Sequence, residues 1–482
     1  MRRFMLIINI KLNNIKYIAM GIDIMEKRID LTEGSISGKL VKLALPIMAT
    51  SFIQMAYNLT DMLWVGRMGS EAVAAVGTAG FFSNLAAALT MIAKVGAEVK
   101  VSQSLGRKDE KATRNYIVSA LQINIILSLI MGTIVLLFRN QFLAFFQLKN
   151  LQVISMAKSY LGVIAVGMVI TNLIPVFTAI FNGAGNSKIP FIINTIGLVI
   201  NIVFDPLLIF GFGPIPEMGV LGAALATIGS QAIVITCFIV SIVKSKEKYF
   251  KFSLFKKPDI KAIRTICKLG IPSGVQNGLF TTFSILIARV IAGSGEVAIA
   301  VQKVGVQIEA ITWMTAGGFS TALSAFVGQN YGAKKYDRIK EGYKATIVIA
   351  SVVGILSTLL LIIGGKSIFS IFIQEKDAIA LGKDYLRILG YSQLFMCIEI
   401  TTVGMFNGLG RTYIPAIVSI ILTGLRVPAS MILSSPSILG IDGVWWSISM
   451  SSVLKGITIV AILYYMTKKK DLLQESVGIE VA

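Results

Sequence analysis

The chain has 482 residues, of which 55% are hydrophobic and only 15% are charged, and its mean hydropathy is +0.77. A soluble domain of this size is not normally so apolar, and apolar stretches of about 20 residues recur along the chain, so the composition indicates a polytopic α-helical membrane protein. The net charge of +20 would suggest a nucleic-acid partner in a soluble protein. We expect no nucleic-acid binding here, because Lys and Arg are concentrated in alternate loops, as the positive-inside rule predicts.

The first 42 residues are predicted to form a cytoplasmic N-terminal segment. Residues 1–24 mix Arg and Lys with short apolar runs, which are too short to span a bilayer and lack a small-residue cleavage site. Two interpretations stay open: a basic segment that lies at the membrane interface, or a translation start at Met25.

Twelve apolar segments are predicted to span the membrane as helices, six on each side of one long polar linker. They are residues 43–63, 72–97, 116–138, 157–181, 190–211, 219–243, 268–291, 297–325, 345–364, 384–406, 414–434 and 443–466. This pattern divides the chain into an N-lobe (43–243), a cytoplasmic linker (244–267), a C-lobe (268–467) and a cytoplasmic tail (468–482). The even number of spans agrees with the basic loops in placing both termini in the cytoplasm, with the plasma membrane as the location.

The first span carries a polar face inside an otherwise apolar stretch. Gln54, Tyr57, Asn58 and Asp61 are spaced 3, 1 and 3 residues apart, which puts them on one side of a helix. A carboxylate within the membrane is costly and usually points into a protein-lined cavity where it has a function. We interpret this face as one wall of a transport site. The alternative is that Asp61 caps the outer end of the helix or pairs with Arg67.

The fifth span adds a second acid. Asn201 and Asp205 are four residues apart and so share a face, and Pro206 frees backbone groups that need compensation. Two carboxylates that converge in a partly desolvated site favour the binding of a proton. Thr227 in the sixth span is a further candidate, although Ser and Thr in membrane helices more often join helices to one another.

The two halves are copies of each other. The paired segments are 42–48 with 268–274, 101–116 with 327–343, 157–161 with 382–386, and 181–190 with 406–415. Because each copy holds an even number of spans, both insert the same way up. We therefore expect a pseudo-twofold axis along the membrane normal and a substrate site between the halves.

Features that occur in both copies are interpreted as architectural, among them the pairs Pro46/Pro272, Gln103/Gln329 and Asn182-Gly183/Asn407-Gly408. Ionisable residues that occur once are the candidates for mechanism. Arg426 stands where the first copy has Asn201, and Ser430 where it has Asp205, so the two acids belong to the first half alone.

Three charged residues in the second half have open roles. Arg426 either snorkels towards an interface or pairs with Glu399 or Glu309. The two glutamates could instead contact a cationic substrate.

No enzymatic signature is found. The sequence has no histidine, no GxxxxGK[ST], no HExxH and no GxSxG, so we expect neither an enzyme nor a cofactor. A lipid-modifying membrane enzyme and a passive channel are weaker alternatives. The first lacks a nucleophile–base or metal set, and the duplication with acids in one half favours alternating access over the second.

Several motifs together resemble the multidrug and toxic compound extrusion (MATE) family, in its DinF-like bacterial branch. They are ALPIMATSFIQMAYNLTDMLWVGRMG, VSQSLGRKD, VGQNYGAKK and NIVFDPLLIFG followed by GVLGAALAT, and the likeness covers residues 30–467. The resemblance implies a V-shaped, all-α fold of twelve helices in two lobes. It also implies rocker-switch antiport of protons or sodium ions against organic, often cationic and amphipathic compounds. Asp61, Asn201 and Asp205 match the coupling residues of that branch, where sodium could also be held, and Gln54 and Tyr57 match their polar neighbours.

The predicted function is therefore multidrug efflux by a monomer embedded in membrane lipid. The alternative is a flippase of the same superfamily that moves lipid-linked saccharides. Such a protein would be expected to have a more cationic central cavity, suited to pyrophosphate groups.

Overall fold

The computed structural model describes residues 28–146 and 150–468, almost all of them in helices. The first half contains α1 (Ile36–Gly66), α2 (Ser70–Gly106), α3 (Glu110–Phe145), α4 (Leu151–Gly183), α5 (Lys188–Ile209) and α6 (Gly219–Lys244). The second half contains α7 (Ile260–Ala292), α8 (Glu296–Gly332), α9 (Tyr336–Ser370), α10 (Lys376–Gly390), α11 (Gln393–Gly408), α12 (Tyr413–Gly424), α13 (Arg426–Leu433) and α14 (Ile441–Lys468). The proposed start at Met25 and the tail beyond residue 468 lie outside the described residues.

The helices confirm an all-α membrane protein. Eleven segments are long and apolar enough to cross a membrane by length and composition, with α12 and α13 together forming one of them. The bent pair of α10 and α11, which meet at 49°, supplies the twelfth predicted span. Most helices are longer than the predicted spans. The hydropathy pattern marks only the apolar part of each helix, whereas the helical hydrogen bonds of the backbone continue into the polar sequence at both ends. The α9 helix, for example, exposes Val352, Leu356, Leu360 and Ile363, as a lipid-facing surface requires.

Each half has its own core, but the first helix of each half crosses into the other. Leu40, Leu43 and Ile47 of α1 are buried in a cluster with residues of α8, α11, α12 and α14, whereas Val65 at the far end of α1 packs with α2, α5 and α6. The equivalent exchange occurs in α7. Its Ile266 lies in the core formed by α2, α3, α4, α5 and α6, while its later residues pack with α8, α10 and α14. The predicted lobe boundaries at residues 43 and 268 miss this exchange, because hydropathy does not show which lobe a helix end contacts.

The lobes meet at one end of the bundle, which we call the basic end because it carries the α2–α3 and α8–α9 connections (residues 107–109 and 333–335) with their Lys and Arg residues. There α2 and α8 cross in backbone contact. Beyond the crossing, a cavity of about 260 Å³ lies between the lobes, lined by α2, α7, α8 and α11.

The linker between the lobes packs against the helices of the first half. Tyr249 and Phe250 are buried in the first-half core, and Asn115 of α3 donates a hydrogen bond to Asp259 at 2.5 Å. Asp259 also caps α7, since its carboxylate accepts the backbone N–H of Ala262 at 3.0 Å. The linker therefore fixes where α7 begins, at residue 260 rather than 268.

Replacing Asp259 with alanine should lower the free energy of unfolding by about 1 kcal/mol, the usual effect of losing an N-cap. The hydrogen bonds from Ala262 and Asn115 hold the pKa of Asp259 below its ordinary value. The stabilisation is therefore present at neutral pH and is lost as the pH falls through the acidic range. Thermal unfolding in detergent at neutral and acidic pH measures both effects. Asp337→Ala, which removes an almost fully exposed carboxylate, is the control and should be neutral. An equal loss in both variants would contradict the capping role.

Candidate functional site

The polar residues of α1 face α6 through two contacts. The hydroxyl of Tyr57 lies 2.7 Å from that of Ser230, and the hydroxyl of Thr227 donates to a carboxylate oxygen of Asp61 at 3.4 Å. Tyr57 and Asp61 are both half-buried. One helical turn therefore separates a tyrosine and an acid that are both held by the same face of the neighbouring helix.

Gln54 and Asn58 belong to the same stretch of α1 but are exposed. The structure thus joins Tyr57, Asp61 and Thr227 and leaves the two amides outside that cluster. Exposure in this molecule includes both lipid-facing and cleft-facing surface, so their assignment to substrate binding stays a prediction.

The acid of α5 lies in the same place as that of α1. Asn201 and Asp205 are almost completely buried, and the amide of Asn201 donates to Asp205 at 3.1 Å. The carboxyl group of Asp61 lies near enough to both Asp205 and Asn201 to interact with them electrostatically. Three helices, α1, α5 and α6, thereby bring together Asp61, Asn201, Asp205 and Thr227.

The contacts of Asp61 agree with neither of its alternative roles, a cap at the outer end of the helix or a pair with Arg67. The guanidinium of Arg67 lies over the ring of Trp64, 4.7 Å from its centroid. The helix ends five residues after Asp61, at Gly66, and the acid points to α5 and α6. Its environment is the lobe interior and not the helix terminus.

The acid cluster (Asp61, Asn201 and Asp205) has oxygen atoms to spare. One carboxylate oxygen of each acid and the amide oxygen of Asn201 are buried without a hydrogen-bond partner among the described residues. Two carboxylates in contact repel each other strongly unless a proton or a cation compensates them. Oxygen atoms from two carboxylates and an amide are also suitable ligands for a hard cation. The residues present therefore fit either a proton or a sodium ion.

In the second half, Glu309 and Glu399 each have a partner. Tyr385 donates to Glu309 at 2.5 Å, and Lys455 forms an ion pair of 3.0 Å with Glu399. Arg426 lies near both glutamates, but its hydrogen bonds go to the hydroxyls of Ser451 and Ser452 of α14. The sequence analysis identified Glu309, Glu399 and Arg426 but missed Lys455, although a lysine in the middle of the last predicted span was a signal for it.

The base of the central cavity contains a second pair of charges that sequence reasoning did not assign to a site. Lys94 and Glu98 of α2 line it together with Gln276 and Asn277 of α7 and Asn407 of α11. Glu98 is 8% exposed and lines the same cavity as Ser324 of α8, across the boundary between the lobes. The cavity is therefore polar and carries one charge of each sign.

Comparison with known proteins gives a consistent result. The chain matches the MatE family model over residues 46–207 and 272–432, one match in each half. It is 28% identical to a probable multidrug resistance protein NorM of Thermotoga maritima, over 84% of this chain and 88% of that protein. It is 23% identical to the multidrug export protein MepA of Staphylococcus aureus, over 88% of this chain and 92% of that protein. Among solved structures, an outward-facing multidrug resistance MATE family transporter of the MOP superfamily superposes with a TM-score of 0.80 at 23% identity, over 93% of this chain and 99% of that one.

Proposed function

Because the chain belongs to the MatE family, we propose that it is a secondary active multidrug efflux antiporter whose coupling site is the acid cluster of the N-lobe. Members of this family are transporters and not enzymes, and the chain is a multi-pass membrane protein. The proposed cargo is a small organic compound, often cationic and amphipathic, and the proposed counter-ion is a proton or a sodium ion. The names of the relatives, which include multidrug resistance and export proteins, support this choice of cargo.

One observation carries the assignment of the coupling site: Asp61 of α1 and Asp205 of α5 lie near enough to interact electrostatically inside one lobe. The two acids come from helices far apart in the sequence, and Asn201 and Thr227 hold them from two sides. In the C-lobe, Glu399 forms an ion pair with Lys455, and Glu309 accepts a hydrogen bond from Tyr385 and lies near Arg426. The N-lobe acids depend on each other, so an exchangeable ion is their natural compensation.

The proposed cycle uses this difference in compensation. Binding of the ion neutralises the acid cluster and favours an arrangement of α1, α5 and α6 that binds the cargo weakly. Release of the ion restores the charge and favours rebinding of cargo from the cytoplasmic side. Coupling requires only that ion and cargo have different affinities for the two states.

The membrane orientation follows from the charges. If the basic end lies in the cytoplasm, as the positive-inside rule predicts, the lobes are joined on the cytoplasmic side and both termini lie there. The protein would then act in the plasma membrane as a lipid-embedded monomer.

The charge of the central cavity favours efflux of organic compounds over the flippase alternative. A carrier of lipid-linked pyrophosphates needs a cationic cavity, whereas this one contains both Lys94 and Glu98. The clearest cations of the C-lobe, Arg426 and Lys455, are buried and engaged with Ser451, Ser452 and Glu399.

The function can be tested with purified protein in proteoliposomes loaded with a lipophilic cation such as ethidium. We expect efflux when either a pH gradient or a sodium gradient is imposed alone, and the gradient that works identifies the ion. Equal efflux with no gradient of either ion would contradict antiport and would favour a channel. Movement of a fluorescent lipid without ethidium efflux would favour the flippase.

A further inference from the structure

The two glutamines that the repeat places at equivalent positions reach across to opposite lobes. The side-chain amide of Gln103, in α2 of the N-lobe, donates to the carbonyl of Gly408 in the C-lobe at 3.0 Å. The amide of Gln329, in α8 of the C-lobe, donates to the carbonyl of Gly183 in the N-lobe, also at 3.0 Å. Both glutamines are at least 95% buried. The acceptors are the last residues of α11 and α4, so the two bonds are pseudo-symmetric copies of each other.

Beside these two hydrogen bonds, the backbones of α2 and α8 are in direct contact. A Cβ atom at Gly106 would lie 1.9 Å from the carbonyl oxygen of Gln329, and one at Gly332 would lie 2.0 Å from that of Gln103. Any side chain at either glycine would therefore force α2 and α8 apart. Only glycine permits the crossing as it stands.

The segment before α1 completes the contact. The carbonyl oxygen of the Gln329 side chain accepts the backbone N–H of Leu31 at 3.4 Å, and Ile29 donates to the carbonyl of Gly185 at 3.0 Å. Leu31 itself is fully buried in the cluster between α1 and the C-lobe. One short segment thus bonds to the N-lobe through Ile29 and to the C-lobe through Leu31.

We propose that Gln103 and Gln329, together with the glycine crossing at Gly106 and Gly332, form a latch that holds the basic ends of the two lobes closed. The glutamines act as gating residues: they touch neither the ion nor the cargo, and they set the balance between the state with this end closed and the state with it open. Transport by alternating access needs both states, so the latch must be strong enough to close and weak enough to release. This inference rests on the proposed transport function for its biological meaning, but the latch itself is a property of the lobes.

The test is a distance measurement between the lobes in the absence of cargo and of any ion gradient. Nitroxide labels on non-natural amino acids at Lys111 and Lys340, which are exposed at the basic end of α3 and α9, leave the native cysteines in place. In the unmodified latch we expect one dominant short distance in a pulsed dipolar measurement. Gln103→Met and Gln329→Met keep the side-chain size and remove the bonds. Gln103→Met should raise the ratio of long to short distances about two- to tenfold, the effect of one lost hydrogen bond on a two-state equilibrium. Gln329→Met should have at least this effect, because it also removes the bond from Leu31.

Gly106→Ala and Gly332→Ala should have the larger effect, because the closed crossing cannot accept a Cβ. The matched control is Gly77→Ala in α2, where an added Cβ meets no heavy atom of the described residues within 4 Å. Tyr343→Phe is the control for the glutamines, because it removes a side-chain hydrogen bond of 3.0 Å to Thr402 between α9 and α11, which both belong to the C-lobe.

Long distances that increase in the four latch variants and not in the controls would support the latch. An unchanged distribution in variants that elute as the unmodified protein does, or the same change in the controls, would overturn it. The distance measurement does not involve transport. If the proposed cargo or ion proved wrong, the distance result would still stand, and if the latch proved wrong, the result of the antiport assay would still stand.

Discussion

Replacing Asp61 with asparagine is expected to abolish efflux while leaving the amount of folded protein in the membrane unchanged. Asparagine has the size of aspartate and can still accept the hydrogen bond from Thr227, so the packing of α1 against α6 should persist. The substitution removes the charge that a proton or sodium ion neutralises, and with it the difference between the loaded and the empty site. Efflux of ethidium from cells should fall to the level of cells without the transporter.

The matched control is Asp337→Asn, which makes the same exchange of a carboxylate oxygen for an amide nitrogen in an exposed acid at the basic end. It should retain full efflux. Asp205→Asn should reduce efflux as well, because Asp205 is the other acid of the cluster. We expect the smaller effect at Asp205, because Asp61 is the more accessible of the two. Normal efflux in the Asp61→Asn variant would remove the basis of the proposed coupling site.

The second large effect is expected from breaking the buried ion pair of the C-lobe. Lys455→Met should lower the free energy of unfolding by about 3–5 kcal/mol, the usual range when one partner of a buried pair is removed. The reason is that Glu399, with a side chain that is 10% exposed, would keep its charge in the lobe interior without its lysine. Thermal unfolding of the purified variant in detergent measures the loss.

The double variant Lys455→Met/Glu399→Met provides the internal comparison. It removes both charges, so it should recover much of the stability lost in the single variant. If the single and double variants unfolded at the same temperature, the lysine would be contributing through packing alone and the pair would have no special role. The charge of Glu399 in the C-lobe is neutralised by Lys455 of the same lobe. For this reason we look for the coupling acids in the N-lobe.

The sequence was sufficient to predict the helices, the duplication and the class of protein, because each depends on patterns within one segment or between two copies. Helical spacing alone puts Asn201 and Asp205 on one face, and their hydrogen bond has that origin. The proximity of Asp61 and Asp205 is different. The two acids are 144 residues apart along the chain, and periodicity contains no information on which faces of α1 and α5 meet.

Three features could not be predicted for the same physical reason. The exchange of the first turns of α1 and α7 between the lobes is decided by packing at the basic end, where both lobes offer apolar surfaces. The choice of Lys455 rather than Arg426 as the ion-pair partner of Glu399 depends on how α11, α13 and α14 pack against one another. The repeat identified Gln103 and Gln329 as equivalent and architectural, but only the structure shows that each one bonds to the opposite lobe.

The central claim, that the N-lobe acids hold the driving ion, is tested most directly by ethidium binding to the purified protein. The dissociation constant is measured at acidic and alkaline pH, with and without sodium, for the unmodified protein and for the double variant Asp61→Asn/Asp205→Asn. The proposed coupling predicts that ethidium binds more weakly when the ion is present and that this dependence disappears in the double variant. The same dependence in both proteins would contradict it.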